Sequence, residues 1–456
     1  MNGAPRRATT LRDAWRVLRQ PIPSEKRSLL ASRWGALDPR WRLPTQGLGR
    51  QATGCGATIG IFPRCDFACE ACYLPGDANH MPRRSLGEIF VQLEALRAYL
   101  GPKGNVQITD GEVTLLPVDD LVAVLKKGRG LGLLPMVMTH GDSFRRRPGL
   151  LERLITEGGL TEVSIHVDTT QRGRLGYGRV RDEVALIPLR EEFAAMIRTA
   201  GRATGVTLRA ATTMTVTRDN LDGVAPVVAW CLRNRDAFRL VSFQPLAQVG
   251  RTRNDVAGVT ARDLWSRVGD ALRPYGFENP GAGPFVFGHP ECSRVELLLV
   301  HQRDGGPPRI ASVVRAGDPA DEALLSDFHV RGLGGINFRD DTATERVCRA
   351  LAITARHSRW VAGPARRWTA SLLHRLGTSP ARLAWDFIHG RARLDGFSIV
   401  SHQFMSRDEV DSPLGRERLA ACAFRVPLNG RLVSMCEVNA TGARDAFYAR
   451  RHDARE

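Results

Sequence analysis

The sequence predicts an α/β fold, a partial (β/α)6 barrel of the TIM type followed by a C-terminal α+β domain. Short apolar, β-branched runs alternate with helical patterns six times between about 57 and 243. Tandem strand–helix units of that kind build a parallel sheet with helices outside it. The rhythm fades beyond about residue 252, where glycine-rich turns and a basic, Trp-containing stretch begin. The expected division is a basic N-terminal extension over 1–50, a core barrel over 51–252 and a C-terminal domain over 253–456.

The elements follow in order. In the extension, Leu11, Trp15 and Leu18 share one face of a helix that Pro21 and Pro23 stop. An apolar strand over 57–62 opens the barrel and runs into a cluster of cysteines. Ser85 and Glu88 make a capping-box signature, and Ile89, Phe90, Leu93, Leu96 and Leu100 follow at helical spacing. Strands are then expected at 105–109, 135–139, 162–167, 206–216 and 239–243, with helices at 119–127, 150–157, 189–203 and 221–233. A further helix is expected at 261–272. In such barrels the reactive groups sit where strands end and loops begin, and the cysteine cluster follows the first strand.

Composition bounds the function. A hydrophobic fraction of 43% is ordinary for a globular chain. No run of about 18 apolar residues is present, which argues against a spanning helix. The charged start lacks an apolar stretch behind it, which points to the cytoplasm rather than to secretion. The net charge is +17, yet lysine occurs only at Lys26, Lys103, Lys126 and Lys127. An arginine bias of this kind can reflect genome composition as well as an anionic partner. No nucleic-acid motif with suitable aromatic spacing accompanies it, so no nucleic-acid partner is expected. Nine cysteines, an odd number in a long chain, argue against a disulfide framework.

Cys65, Cys69 and Cys72 crowd into a C-x3-C-x2-C run. Thiolates hold iron–sulfur clusters, normally four to a cubane, and three would leave one iron open for a substrate or cofactor. A structural zinc site would want a fourth Cys or His close by. His80, eight residues past Cys72, keeps that alternative open. With Tyr73 after the third cysteine, the motif resembles the signature of the radical S-adenosylmethionine (SAM) superfamily. The resemblance implies a [4Fe–4S] cluster on Cys65, Cys69 and Cys72, with SAM chelating the fourth iron. Reductive cleavage of SAM would then give a 5′-deoxyadenosyl radical that abstracts hydrogen. It also implies a reducing electron donor such as flavodoxin or ferredoxin. Asp110-Gly111-Glu112 resembles the family's Gly-Gly-Glu segment that meets the SAM amino group, with aspartate in place of the first glycine. Thr139-His140-Gly141 resembles its Thr-Asn-Gly turn. Ser164, His166 and Asp168 alternate toward one side of the fourth strand, where the family reaches the SAM ribose, and Tyr73 is expected near the adenine.

The C-terminal half adds a His289-Pro290-Glu291-Cys292 element, a later His402-Gln403-Phe404-Met405, and two late cysteines, Cys422 and Cys436, with Asn439 after the last. In that order these resemble the branch containing tetraether lipid synthase and the dihydropterin dimethyltransferase-like proteins. That resemblance implies an auxiliary [4Fe–4S] cluster with Cys292, Cys422, Cys436 and Cys348 as candidate ligands. The CxxC pairs of an N-terminal rubredoxin-like module are absent. The stretch 356–375 sets Trp360, Trp368, Leu372 and Leu373 among arginines, the pattern of a helix lying on an anionic membrane. That would place the protein at the inner membrane surface. The expected function is C–H activation by SAM cleavage, on a lipid alkyl chain. The alternatives are a radical SAM methyltransferase or maturase acting on a pterin, peptide or other small molecule, and, remotely, a metal-containing nucleic-acid-binding protein.

Overall fold

Backbone pairing in the computed structural model, which describes residues 10–277, 283–339 and 341–449, gathers every strand into one sheet. The first six strands are β1 (Cys55–Ala57), β2 (Asn105–Ile108), β3 (Leu134–Thr139), β4 (Glu162–His166), β5 (Arg209–Val216) and β6 (Phe238–Pro245). Each is parallel to the next. The later strands are β7 (Phe285–Val286), β8 (Ser293–Arg303), β9 (Arg309–Ser312), β10 (Ala392–His402), β11 (Phe424–Leu428) and β12 (Arg431–Ser434). The order is β12-β11-β1-β2-β3-β4-β5-β6-β10-β8-β7, with β9 paired to β8, and the sheet curls into a half-barrel.

The parallel run does not end at the expected barrel boundary. β10 continues it beyond β6, in register from Ser398↔Leu240 to Ser401↔Phe243. β11 extends it on the other side of β1, with Cys55↔Phe424 and Gly56↔Arg425. The segment 253–456 therefore builds both flanks of the sheet as well as its own antiparallel edge. Distant strands could not be assigned to these edges from local patterning, because pairing partners are a long-range property.

The helices form as their sequences direct. Helix Leu86–Leu100 starts at a capping box in which Ser85 N donates to Glu88 Oε2 at 2.9 Å and Glu88 N donates to Ser85 Oγ at 3.3 Å. Its Leu93 and Leu96 join Val124, Leu125, Phe193 and Trp230 of the following helices over Val106, Val137, Val163 and Val241 of the sheet. Every one of these side chains is fully buried or nearly so. Completely burying such a side chain contributes about 1.5–3 kcal/mol.

Three local expectations change. The first strand stops at Ala57, because beyond it the backbone turns to side chains. Ile59 N donates to Gln92 Oε1 at 2.9 Å, and Gly60 N donates to the Asp110 carboxylate at 2.5 Å. In helix Leu11–Arg19 the Leu11 and Trp15 side of the helix faces outward, at 92% and 58% exposure, and Val17 is the buried residue. The helix packs on helix Ala343–Arg356, where Arg356 Nη2 donates to the carbonyls of Leu18 and Arg19 at 2.9 Å. The basic start at 1–9 lies outside the described residues. In the 356–375 stretch, Leu372 and Leu373 bury against Ala311, Leu376 and Leu383, so its leucines pack into the protein. No described helix is long and apolar enough to cross a membrane.

Candidate active site

The cysteine loop is moored to the ends of several parallel strands. Gly111 N donates to Phe62 O and Glu112 N to Arg64 O, both at 2.8 Å. Ala68 N reaches Arg172 O at 3.0 Å and Glu70 N reaches Thr170 O at 2.9 Å. Beyond β6, Arg251 N donates to the carbonyls of Cys72 and Leu74, at 3.0 and 2.9 Å. The approaches leave no room for side chains. A Cβ on Gly111 would stand 2.3 Å from Arg64 O, and one on Gly250, at φ +55°, would stand 2.3 Å from the Tyr73 carbonyl carbon.

Cys65, Cys69 and Cys72 lie close enough for their thiols to act on one another. Burial pushes the Cys65 thiol up to about 12, and Cys72 is among its charged neighbours. Cys69 is raised well above the ordinary thiol value by burial, then by Cys72 and Cys65. Opposite them stands Arg251. Burial works to lower its pKa, but the thiols of Cys72, Cys65 and Cys69 outweigh that and hold it high. Its Nη2 donates to Phe67 O at 3.1 Å, and its buried Nε has no partner within the described residues. A guanidinium turned toward three thiols fits an anionic, thiolate-bound cluster.

The spacing argues against a single zinc ion. Three thiolates on one tetrahedral zinc would lie about 3.8 Å apart, given a Zn–S bond of about 2.3 Å. Among the described residues, the group with ligand atoms all within 4.8 Å of one another is Cys65, Asp66 and His140, not the three cysteines. Asp66 and His140 already pair, with His140 Nε2 2.8 Å from Asp66 Oδ1, and Asp66 also accepts from Arg146 Nη1 at 3.0 Å.

The other sequence-predicted residues gather around this loop. Glu112 is buried and accepts from Thr139 Oγ1 at 2.7 Å, from His140 N at 2.8 Å, and from Thr114. Its carboxylate thus fixes the turn after β3. Asp110 is buried too. It accepts from Gly60 N and Tyr448 Oη at 2.5 Å and from Arg444, while Tyr73 Oη donates to its carbonyl. Ser164 Oγ lies 3.0 Å from Thr213 Oγ1. His166, its side chain 31% exposed, sets Nε2 2.5 Å from Asp168 Oδ2. Burial alone would raise the Asp168 carboxyl, but His166 and hydrogen bonds from Thr170 and Thr215 lower it.

Sequence reasoning missed Arg174, Arg444 and Tyr448. Arg174 is buried and donates to the carbonyls of His140 and His166, both at 2.8 Å, tying two strand ends together. In an arginine-rich chain no local pattern separates these residues from the rest. The first glycine of the family's segment, absent here, was the one signal, since a buried aspartate requires partners.

A second group of thiols forms from residues far apart in sequence. Burial raises Cys292, Cys422 and Cys436. Cys422 acts on Cys292, and both act on Cys436. Arg418 lies against Cys292, and its buried Nε is without a partner among the described residues, as is Gln403 Nε2. Cys55, unassigned from the sequence, has its thiol pushed up to about 11 by burial and then by Cys422. Cys348 lies on helix Ala343–Arg356 and is not among the neighbours acting on any of these thiols.

Comparison with known proteins gives an independent reading. Solved structures of anSMEcpe are similar to part of this chain. Native anSMEcpe with bound AdoMet matches at 11% identity and a TM-score of 0.33, over 48% of this chain and 60% of that one. Native anSMEcpe with bound AdoMet and Cp18Cys peptide matches at 10% identity and a TM-score of 0.34, over 48% of this chain and 59% of that one. The match thus spans less than two thirds of those proteins. No curated protein matched the chain. The family model of the Radical SAM superfamily matches residues 59–227, from the end of β1 into the helix after β5. Over that stretch the chain is similar to the Radical SAM superfamily.

Proposed function

We propose that this chain is a radical SAM enzyme that cleaves S-adenosylmethionine reductively at a [4Fe–4S] cluster held by Cys65, Cys69 and Cys72. The observation that carries the reading is a loop of three cysteines moored to the ends of the parallel strands, with Arg251 bonded to the loop and close enough to all three thiols to act on them. A [4Fe–4S] cluster held by these cysteines would supply the one-electron reduction that splits SAM into methionine and a 5′-deoxyadenosyl group, with the electron drawn from flavodoxin or ferredoxin.

The residues of the chain do the rest. Arg251 offsets the charge of the thiolates, and its buried Nε has no partner among the described residues. Glu112 locks the strand-two turn to Thr139 and His140, and so fixes the rim on which the SAM amino acid would lie. His166, oriented by Asp168, and Ser164 lie at the fourth strand, where the ribose would reach, and Tyr73 stands beside the third cysteine for the adenine.

Cys292, Cys422 and Cys436 hold an auxiliary cluster in this reading. Their mutual proximity, the unpartnered Arg418 Nε and Gln403 Nε2, and their apolar surroundings support it. Cys55, beside Cys422, replaces Cys348 as the nearest further thiol. The substrate class favoured is a lipid alkyl chain, supported by the resemblance of the C-terminal elements. Flavodoxin or ferredoxin is the electron donor.

The test is anaerobic. The protein is reconstituted with iron and sulfide, given SAM and a strong reductant, and assayed for 5′-deoxyadenosine. Nucleoside formed by the native chain and not by the Cys65→Ala, Cys69→Ala, Cys72→Ala variant is the expected result. None from a chain with an intact cluster and bound SAM would overturn it. Lipid extracts of cells with and without the protein then test the substrate class, and a change confined to water-soluble products refutes it.

A further inference from the structure

The chain's last described helix, Ala443–Ala449, reaches back across the whole sequence to the candidate SAM site. Its Arg444 and Tyr448 are buried, at 4% and 2% exposure, and both hold Asp110. Arg444 Nη1 donates to Asp110 Oδ1, and Tyr448 Oη donates to Oδ2 at 2.5 Å. The same Oδ2 takes Gly60 N, at the end of the first strand segment. Asp110 is the residue immediately before Gly111-Glu112, and its carbonyl accepts from Tyr73 Oη. The Arg444 guanidinium also lies 4.8 Å from the centre of the Tyr73 ring. One side chain thus touches both the strand-two turn and the aromatic residue after the third cysteine.

Arg444 has a second attachment. Its Nε and Nη2 donate to Asn439 Oδ1 at 3.2 and 2.9 Å. Asn439 lies on helix Met435–Ala440, the helix of Cys436. A chain of contacts therefore runs from the Cys436 helix through Asn439, Arg444 and Asp110 to Tyr73. Arg84 braces the same helix from outside, its guanidinium 4.0 Å from the Phe447 ring centre and donating to Phe447 O.

We propose that Arg444 and Tyr448 are positioning residues of the SAM site. They hold the Asp110–Glu112 turn and the Tyr73 ring at a fixed separation, so the site for SAM is complete only when the C-terminal helix is docked. The proposal rests on the reading of residues 59–227 as a SAM-cleaving domain. It explains why an aspartate stands at position 110. Its carboxylate is the post to which the far end of the chain is tied, and an uncharged residue there would leave the buried Arg444 guanidinium without its carboxylate partner.

The test uses the full chain, reconstituted anaerobically, with Arg444→Lys, Arg444→Met and Tyr448→Phe variants. Iron and sulfide content, melting temperature and the Kd for SAM are measured together, as is the change in the reduced cluster's electron paramagnetic resonance spectrum when SAM is added. The expected result is full cluster content with a Kd raised by roughly tenfold or more in Arg444→Met. A smaller rise is expected in Tyr448→Phe, and partial recovery in Arg444→Lys. A purely structural role would lower the melting temperature and leave the Kd and the SAM-induced spectral change untouched, which overturns the proposal. If Arg444→Met fails to fold, Tyr448→Phe, which removes one oxygen atom, decides the matter by the same two readouts. A native chain that takes up the cluster but binds no SAM refutes the functional reading itself, a different outcome from either.

Discussion

The two thiol groups of this protein are built in opposite ways. Cys65, Cys69 and Cys72 lie within eight residues on one loop, and the ends of the neighbouring strands merely hold that loop in shape. Cys292, Cys422 and Cys436 come from before β8, before β11 and from the helix after β12. Only the sheet's two flanks, β10 with β8 on one side and β11 with β12 on the other, bring them together. The first group is a local device that a short sequence can specify. The second exists only once the whole sheet has formed. The first faces an arginine, Arg251, whose backbone also anchors the loop, whereas the second has Arg418, from a helix outside the parallel run. Local construction predicts chemistry that depends on the loop alone, and distributed construction predicts chemistry that depends on fold integrity.

The largest test of that contrast removes each group in turn. Replacing Cys65, Cys69 and Cys72 with alanine is expected to reduce 5′-deoxyadenosine formation to background while the melting temperature of the apo chain stays near native, since no core side chain is lost. Replacing Cys422 and Cys436 is expected to lower bound iron from about eight to about four atoms per chain and to leave SAM cleavage measurable. Iron analysis beside the nucleoside assay separates the two. An iron content unchanged in the second variant removes the auxiliary cluster. Within that group Cys55→Ser is expected to lower iron and Cys348→Ser to leave it alone, because Cys55 lies beside Cys422.

A smaller effect is expected at Arg251. Arg251→Met removes the guanidinium turned toward the three thiols, and the nucleoside yield should fall by roughly 10–100-fold with iron content retained. Loss of the cluster instead would assign Arg251 to holding the loop rather than tuning it.

The smallest test compares the flanks with the barrel through stability. Glu296 on β8 is buried, and burial pushes its carboxyl up to about 8, against the hydrogen bond it accepts from Ser312 Oγ at 2.5 Å. A carboxyl whose folded pKa lies above its unfolded value favours folding below the unfolded pKa. That contribution is lost as pH rises through the folded one, so stability should fall between about pH 4.5 and pH 8 at up to about 1.4 kcal/mol per unit. Glu296→Gln should flatten that slope in urea unfolding curves, and an unchanged slope would place the titration elsewhere.

Much of the barrel was legible because its signals are local. The short apolar, β-branched runs located β2 to β6, and Ser85 with Glu88 marked the start of a helix. The C-x3-C-x2-C spacing located the candidate cluster site without any knowledge of the fold. The first strand was misjudged in length because Ile59 and Gly60, though apolar and strand-like in sequence, donate to Gln92 and Asp110. The face of helix Leu11–Arg19 was misjudged because its partner, helix Ala343–Arg356, lies more than three hundred residues away. Cys55 was passed over for the same reason, since its neighbour is Cys422.

By itself, then, the sequence determined the α/β rhythm, the contiguous cysteine motif and the order of polar groups at successive strand ends. These depend on spacings of a few residues, which backbone periodicity converts directly into geometry. The tertiary structure alone decided which arginine faces the thiols, which cysteines meet at the sheet's flanks, and that the end of the chain is tied to Asp110. Those outcomes depend on contacts between residues hundreds of positions apart, which are set by how the sheet curls and closes rather than by any local preference.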